Sequence, residues 1–179
     1  MTVISYQEHP LVTVDWLRPL HQIQMQQLVA IEAKCCPEKP WILDDFASIL
    51  EPGGKYLGRV AICGGRIVGF MIYETYTGGR RVANIAVDPE WQRLRVGSML
   101  LGCLKRQLAD AHHVKEIVAI VWEEKLVSQQ FFRSNAFRWV ETILPNQDGD
   151  RTAYVLRCAK RMSECGEEAE AELVASLPN

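Results

Sequence analysis

The sequence has no dominant charge. Its 20 lysines and arginines stand against 22 aspartates and glutamates, a net charge of −2. The basic footprint of a nucleic-acid binder is missing, so no direct nucleic-acid contact is expected; a basic peptide substrate stays compatible. No apolar run approaches the ~18 residues that cross a bilayer, so no membrane partner is expected. The opening residues, MTVISYQEHP, lack a basic segment followed by an apolar one, the pattern of a signal peptide. Among six cysteines only Cys35 and Cys36 are neighbours, and no CxxC or Cys/His metal spacing occurs. A disulfide framework and a metal site are not expected, and the cysteines read as reduced, small core residues of a cytoplasmic protein. The chain also lacks GxxxxGK[ST], which removes the lysine and the Mg²⁺-binding hydroxyl of a P-loop nucleotide hydrolase.

Present instead are 179 residues, enough for one domain with its own core. That domain is expected over residues 1–160. An acidic tail rich in alanine and glutamate follows over 161–179, read as a frayed or solvated helix.

Apolar periodicity and turn residues divide the chain. VTVDWL (Val12–Leu17) reads as a strand broken by Pro19. Leu20–Ala33 reads as a helix carrying Ile23, Met25, Leu28 and Ile31, and Trp41–Leu50 as a short second one. Tyr56–Ile62, Gly64-Gly65 and Ile67–Glu74 form a hairpin. Thr77-Gly78-Gly79 turns into a third strand, Val82–Val87, apolar on both faces. A helix ending near Asp110 carries Val96, Leu100, Cys103, Leu104 and Leu108. Glu116–Trp122 is a strand and Leu126–Arg133 a helix. Phe137–Leu144 and Arg151–Leu156 close as a hairpin around Asn146–Gly149. The order β-α-α-β-β-β-α-β-α-β-β implies an α/β (α+β) fold, with a mixed sheet and helices on both faces.

The most informative stretch is IAVDPEWQRLRVGSMLL, Ile85–Leu101. A short strand ends at Asp88-Pro89, a basic loop follows, and a helix begins at once. Helix N-termini present unpaired N–H groups and a favourable dipole to anions, and Arg93 and Arg95 add positive charge. A pyrophosphate is the natural guest.

At these residues the chain resembles the GNAT acyltransferases, whose signature [Q/R]-x-x-G-x-[G/A] follows a strand ending in a V-D/N-P turn. Arg18-Pro19-Leu20, AIEAKCCPEKPW (Ala30–Trp41) and PNQDGDRTAYVL (Pro145–Leu156) resemble the bacterial ribosomal-protein-alanine N-acetyltransferases within that family. The resemblance implies a mostly antiparallel sheet of about seven strands and acetyl-CoA as cosubstrate. The backbone of Ile85, Ala86 and Val87 should hold the pantetheine arm. Gln92, Arg93, Leu94, Arg95, Val96, Gly97 and Ser98 should cradle the pyrophosphate. Lys125 stands where many members have an Asn near the pantetheine or thiol. The implied acceptor is an amine, a ribosomal or other protein N-terminus.

Two positions depart from the family. Arg95 replaces an earlier glycine. An arginine with helical φ/ψ donates the same N–H and can reach a phosphate; the other reading is a lost site and a solvated arginine. Ile120 and Phe132 fall where the ribosomal subgroup has its base glutamate and acid tyrosine, and neither can move a proton. Glu123, Glu124, Glu74, Tyr76 and Tyr154 are the replacement candidates, with Glu123 and Tyr154 foremost. Tyr73 reads as packing, His112 and His113 as capping of a helix C-terminus, and Trp41 and Trp139 as the rim of a substrate groove.

Acetyl transfer needs a neutral amine, a polarised thioester and a proton for the leaving thiolate. A lysine with pKa ~10.4 costs about 4.6 kcal/mol to neutralise at pH 7, an α-amine with pKa ~8 about 1.4 kcal/mol. An enzyme without a strong base should therefore prefer α-amines, attacking the thioester directly in a ternary complex. The alternative is an acetyl-CoA-binding sensor or regulatory module that kept the site and lost the chemistry.

Overall fold

The elements follow the expected order: β1 (Thr13–Trp16), α1 (Gln22–Cys35), α2 (Leu43–Ile49), β2 (Tyr56–Cys63), β3 (Arg66–Tyr76), β4 (Gly79–Val87), α3 (Val96–Asp110), β5 (Glu116–Trp122), α4 (Leu126–Ser134), β6 (Arg138–Ile143) and β7 (Ala153–Ala159). The structure, a computed structural model, describes residues 11–17, 22–145 and 151–160. The expected turn at Asn146–Gly149, the Arg18-Pro19-Leu20 segment, the first ten residues and the tail 161–179 lie outside the described residues.

One sheet of seven strands has the order β1-β2-β3-β4-β5-β7-β6. Every neighbouring pair is antiparallel except β4 with β5. Strand alternation sends apolar side chains to two faces, and each face carries its own core. On one face Val60, Phe70, Ile72 and Ala86 pack with Leu28, Ile31 and Phe46 from α1 and α2. On the other, Met71, Tyr73, Ile117, Ala119 and Leu156 pack with Leu100, Leu104 and Leu108 of α3 and Phe132 of α4. No helix among the described residues is long and apolar enough to cross a membrane.

Several boundaries differ from the sequence reading. β4 starts at Gly79 rather than Val82, because Thr77 and Gly78 alone make the turn. Gly78 supplies the positive φ, 88°, that a two-residue hairpin loop demands. Ile23 is 72% exposed and not on the core stripe of α1, which runs through Met25, Leu28 and Ile31. The closing strand begins at Ala153 and runs to Ala159, three residues beyond Leu156.

Candidate active site

The parallel pairing of β4 with β5 is short. Gly79, Arg80, Arg81 and Val82 face Glu116, Ile117, Val118 and Ala119, and there it stops. Both strands continue, β4 to Val87 and β5 to Trp122, without pairing to each other. Backbone polar groups on the facing edges there lack the ladder partner that a sheet normally supplies.

A bulge marks the point of divergence. Tyr73 pairs with Val82 and Ile72 with Asn84, leaving Ala83 as the extra residue of β4. Side chains alternate along a regular strand, so Val82 and Asn84 would share a face. The inserted Ala83 resets that parity, as bulges do. Val82 packs in the α3-side core, whereas Ala86 lies in the α1-side core. Asn84, directly opposite the α1-side Ile72, joins Ala86, and Ile85 and Val87 pack on the α3 side. The Val87 carbonyl is engaged within the protein. It accepts from Gln92 Nε2 at 3.0 Å and Cys35 Sγ at 3.2 Å. Gln92 therefore ties the loop to the end of β4.

Beyond β4 the chain forms a single 3₁₀ turn, Pro89–Trp91, where the sequence reading had only the Asp-Pro turn. Asp88 caps it by accepting from the Glu90 N–H at 3.3 Å. This carboxylate is buried and also receives Lys34 at 2.9 Å and Arg66 at 3.2 Å. Burial alone would raise its pKa, but Lys34, the Glu90 N–H and Arg66 together hold it below the ordinary carboxylate range.

Arg93 and Arg95 both adopt left-handed backbone, with φ of 64° and 62°. The helical φ/ψ expected for Arg95 is corrected: at φ 62°, ψ 9° it is the left-handed N-cap of α3. Its carbonyl accepts the first helical bond, from Met99 at 2.9 Å, while its side chain caps nothing. Left-handed residues beside right-handed ones gather consecutive N–H groups into an anion-binding concavity. The N–H groups of Val96, Gly97 and Ser98, in the first turn of α3, point the same way. The Val96 side chain is buried in the core, so only its backbone can serve a ligand. Gln92, Arg93, Leu94 and Arg95 are exposed, and neither arginine has a carboxylate partner among the described residues.

Of the catalytic candidates, Glu123 and Tyr154 meet: Tyr154 donates to Glu123 Oε1 at 2.9 Å. That hydrogen bond, with desolvation and the Glu123 charge, raises the Tyr154 pKa above that of a free phenol. The pair lies on the α4 side of the sheet, lining a cavity of about 1020 Å³ with Arg133, Trp139 and Thr152. Trp139 thus stands at a cavity wall, while Trp41 packs edge-on to Phe46. Ile120 is 44% exposed, on the opposite face to the buried Ala119 and Val121. Phe132 is 4% exposed and sits in a ring cluster with Phe131 and Phe137. Lys125 extends to Glu38 at 3.7 Å, linking the β5–α4 turn to the α1–α2 connection. Glu124 is paired with Arg151 at 2.6 Å.

Glu74 and Tyr76 are corrected as proton carriers. They pair with Arg81 and Gly79, at the end of β4 opposite the divergence. Glu74 is held by Lys55 and Arg81, whose influence lowers its pKa, and Tyr76 donates to Glu116 at 3.0 Å. Tyr73 is fully buried, as packing requires.

One buried carboxylate and its neighbour escaped the sequence reading. Glu32 of α1 is 4% exposed and lies beside the Asn84 side chain and the Trp41 backbone N–H. Desolvation raises its pKa; those two neighbouring donors oppose the rise. The signal was present as a carboxylate four residues beyond Leu28 on the apolar stripe of α1.

Comparison with known proteins places this geometry. No curated protein sequence matches the chain. Residues 54–138 match the family model described as an acetyltransferase (GNAT) domain. Among solved structures, the ribosomal-protein-alanine N-acetyltransferase of Escherichia coli has a TM-score of 0.69 at 23% identity, over 87% of this chain and 98% of that one. Ard1 from Thermoplasma volcanium has a TM-score of 0.68 at 17% identity, over 83% of this chain and 97% of that one. An aminoglycoside 6'-N-acetyltransferase complexed with coenzyme A has a TM-score of 0.69 at 14% identity, over 84% and 99%. These likenesses show a shared fold.

Proposed function

We propose, on the premise that this chain carries the GNAT acyltransferase domain and its fold, that it transfers acetyl from acetyl-CoA to a protein or peptide N-terminal α-amine. The observation that carries the reading is the divergence of β4 from β5 beyond Val82 and Ala119. An amide-bearing chain can enter there as a substitute strand. The left-handed arginine loop and the open N-terminus of α3 follow the same end of β4 and receive the pyrophosphate. Arg93–Ser98 hold the phosphates through N–H groups and the two guanidinia. The backbone of Ile85, on the edge of β4 facing the opening, holds the pantetheine and orients the thioester.

The amine attacks the thioester carbon directly. A C–N bond forms, the C–S bond breaks, and the amine gives up a proton as the thiolate leaves. In this reading the Tyr154 phenol, with Glu123 as its hydrogen-bond partner, gives a proton to the departing thiolate, and the amine's proton passes to water. No strong base occupies position 120, which favours an α-amine over a lysine. A peptide beginning with alanine is the first probe, because alanine is the acceptor named for the Escherichia coli protein.

A second reading, acetyl-CoA binding without transfer, is favoured by Ile120 and by the buried Phe132. Two measurements separate the readings: calorimetric titration with acetyl-CoA, and CoA release on mixing acetyl-CoA with a panel of free and N-terminally blocked peptides. Transfer predicts CoA release that only a free α-amine elicits. Tight binding with no release over hours leaves the sensor; no binding removes both.

A further inference from the structure

We propose that Asn84 is the residue that contacts the acceptor amine, and that buried Glu32 is a positioning residue that sets which edge of the Asn84 amide faces it. This rests on the transfer reading above.

Three observations meet at Asn84. It is on β4 beyond the last β5 pairing, where the two strands have parted. The Ala83 bulge turns it to the α1 side, while it stays partly exposed. Its carboxamide lies beside Glu32 of α1, a carboxylate withdrawn from solvent and also neighboured by the Trp41 N–H.

A carboxamide has one donor edge and one acceptor edge. A carboxylate only accepts, so Glu32 takes the Nδ2 edge and leaves Oδ1 on the free edge. A carbonyl oxygen there suits a group rich in N–H bonds, an ammonium or a neutral amine. It can orient the amine with its lone pair toward the thioester while moving no proton itself. Ile120 is on the α1 side too, since Ala119 and Val121 point to the α3 core. The amine then lies on the α1 side, between a polar contact on β4 and an apolar wall on β5, while the Tyr154–Glu123 pair on the α4 side serves the leaving thiolate across the opening.

The test is an edge swap. Asn84→Ala removes the acceptor and should raise the peptide KM about tenfold, the worth of one hydrogen bond to a charged or polar group. Acetyl-CoA affinity should stay within about twofold, since the pyrophosphate loop is untouched. Glu32→Gln lets the glutamine amide donate to Oδ1 and turns Nδ2 toward the amine, donor against donor, with a similar rise in KM. Asn84→Asp sets two carboxylates together and should also fail. The double variant Glu32→Gln/Asn84→Asp restores one donor inside and one acceptor outside, and should recover the peptide KM to within about threefold of the wild type. A merely structural role would not yield that recovery.

An unchanged KM in Asn84→Ala, or a double variant no better than Asn84→Asp, overturns the proposal. Should Asn84→Ala melt below the assay temperature, Asn84→Ser is read in its place. If wild type binds acetyl-CoA yet acetylates no peptide, the transfer reading fails by itself. The affinity of a C-terminally labelled peptide for the CoA-bound protein then judges the pair: weaker binding by Asn84→Ala supports it, equal binding overturns it.

Discussion

Gly97 and Phe131 are in contact across the α3–α4 interface: a Cβ on Gly97 would lie 3.0 Å from Phe131 Cε2 and 3.3 Å from Cζ. The glycine of the loop proposed to hold the pyrophosphate is thus also a packing residue. Gly97→Ala should destabilise the fold by about 1 kcal/mol through overpacking, and Phe131→Leu should relieve that penalty in the double variant. Urea unfolding of the full mutant cycle checks this; strictly additive effects would show that the contact is not felt.

Arg93 stands in the loop with a left-handed backbone and an exposed side chain. Arg93→Glu places like charge beside a phosphate and should weaken acetyl-CoA binding about tenfold or more at low salt. Calorimetry at two ionic strengths tests the placement, since the wild-type advantage should shrink as salt rises. An unchanged dissociation constant would count against it.

Ala136 occupies the left-handed position, φ 66°, just past the end of α4. The Phe137 N–H returns to the Phe132 carbonyl at 3.1 Å and the Ala136 N–H to Arg133 at 3.1 Å, the two bonds of a Schellman motif. Ala136→Gly should therefore stabilise the protein by about 0.5–1 kcal/mol, less the added freedom of the unfolded chain. A higher urea midpoint at constant m-value is the expected result; a lower midpoint refutes it.

Asp88 carries a pH dependence with a defined sign. Its folded pKa is depressed despite burial, chiefly by Lys34, the Glu90 N–H and Arg66. The unfolded chain, with an aspartate pKa of ~3.9, thus binds more protons in that range. The stabilisation is complete above the unfolded value and is lost as pH falls through the folded one. Thermal melts from neutral pH into the acid range should show a steeper loss for wild type than for Asp88→Asn. Parallel curves would assign the acid limb to other groups.

Tyr154→Phe deletes the donor to Glu123 while keeping the ring. It should lower kcat at least about tenfold and leave acetyl-CoA affinity unchanged, if the phenol supplies the leaving-group proton. With its pKa raised, Tyr154 should show no ionisation in the neutral pH–rate profile. A full kcat in Tyr154→Phe moves the proton path elsewhere.

The sequence showed the order of elements, because their apolar periods and Gly/Pro punctuation are local. Asp88-Pro89 and Gly97 located the loop for the same reason. What stayed hidden depends on pairing. The Ala83 bulge exists only as a mismatch between β3 and β4, and no residue type announces it. Arg95 misled because arginine rarely takes left-handed backbone, so its conformation had to come from the fold. Glu32 was visible as an acid on an apolar stripe, but its meaning came from Asn84, which is far away in sequence. Glu74 and Tyr76 failed as site residues because strand direction sets which end of β4 they reach.

Because β4 and β5 pair over only four residues, the sheet is two antiparallel blocks joined by a short seam, β1–β4 on one side and β5, β7 and β6 on the other. α3 packs across that seam from one face, touching β2, β3, β4 and β5, while on the other face α1 packs mainly on β3 and β4. Such a joint sets the mechanical weak line of the molecule. A ligand lying along it acts as a splint, and occupancy at 100 times its dissociation constant adds about 2.7 kcal/mol to the stability of the whole fold. The slowing of amide exchange should then be largest at Ile85 on one bank of the seam and at Ile120 and Trp122 on the other.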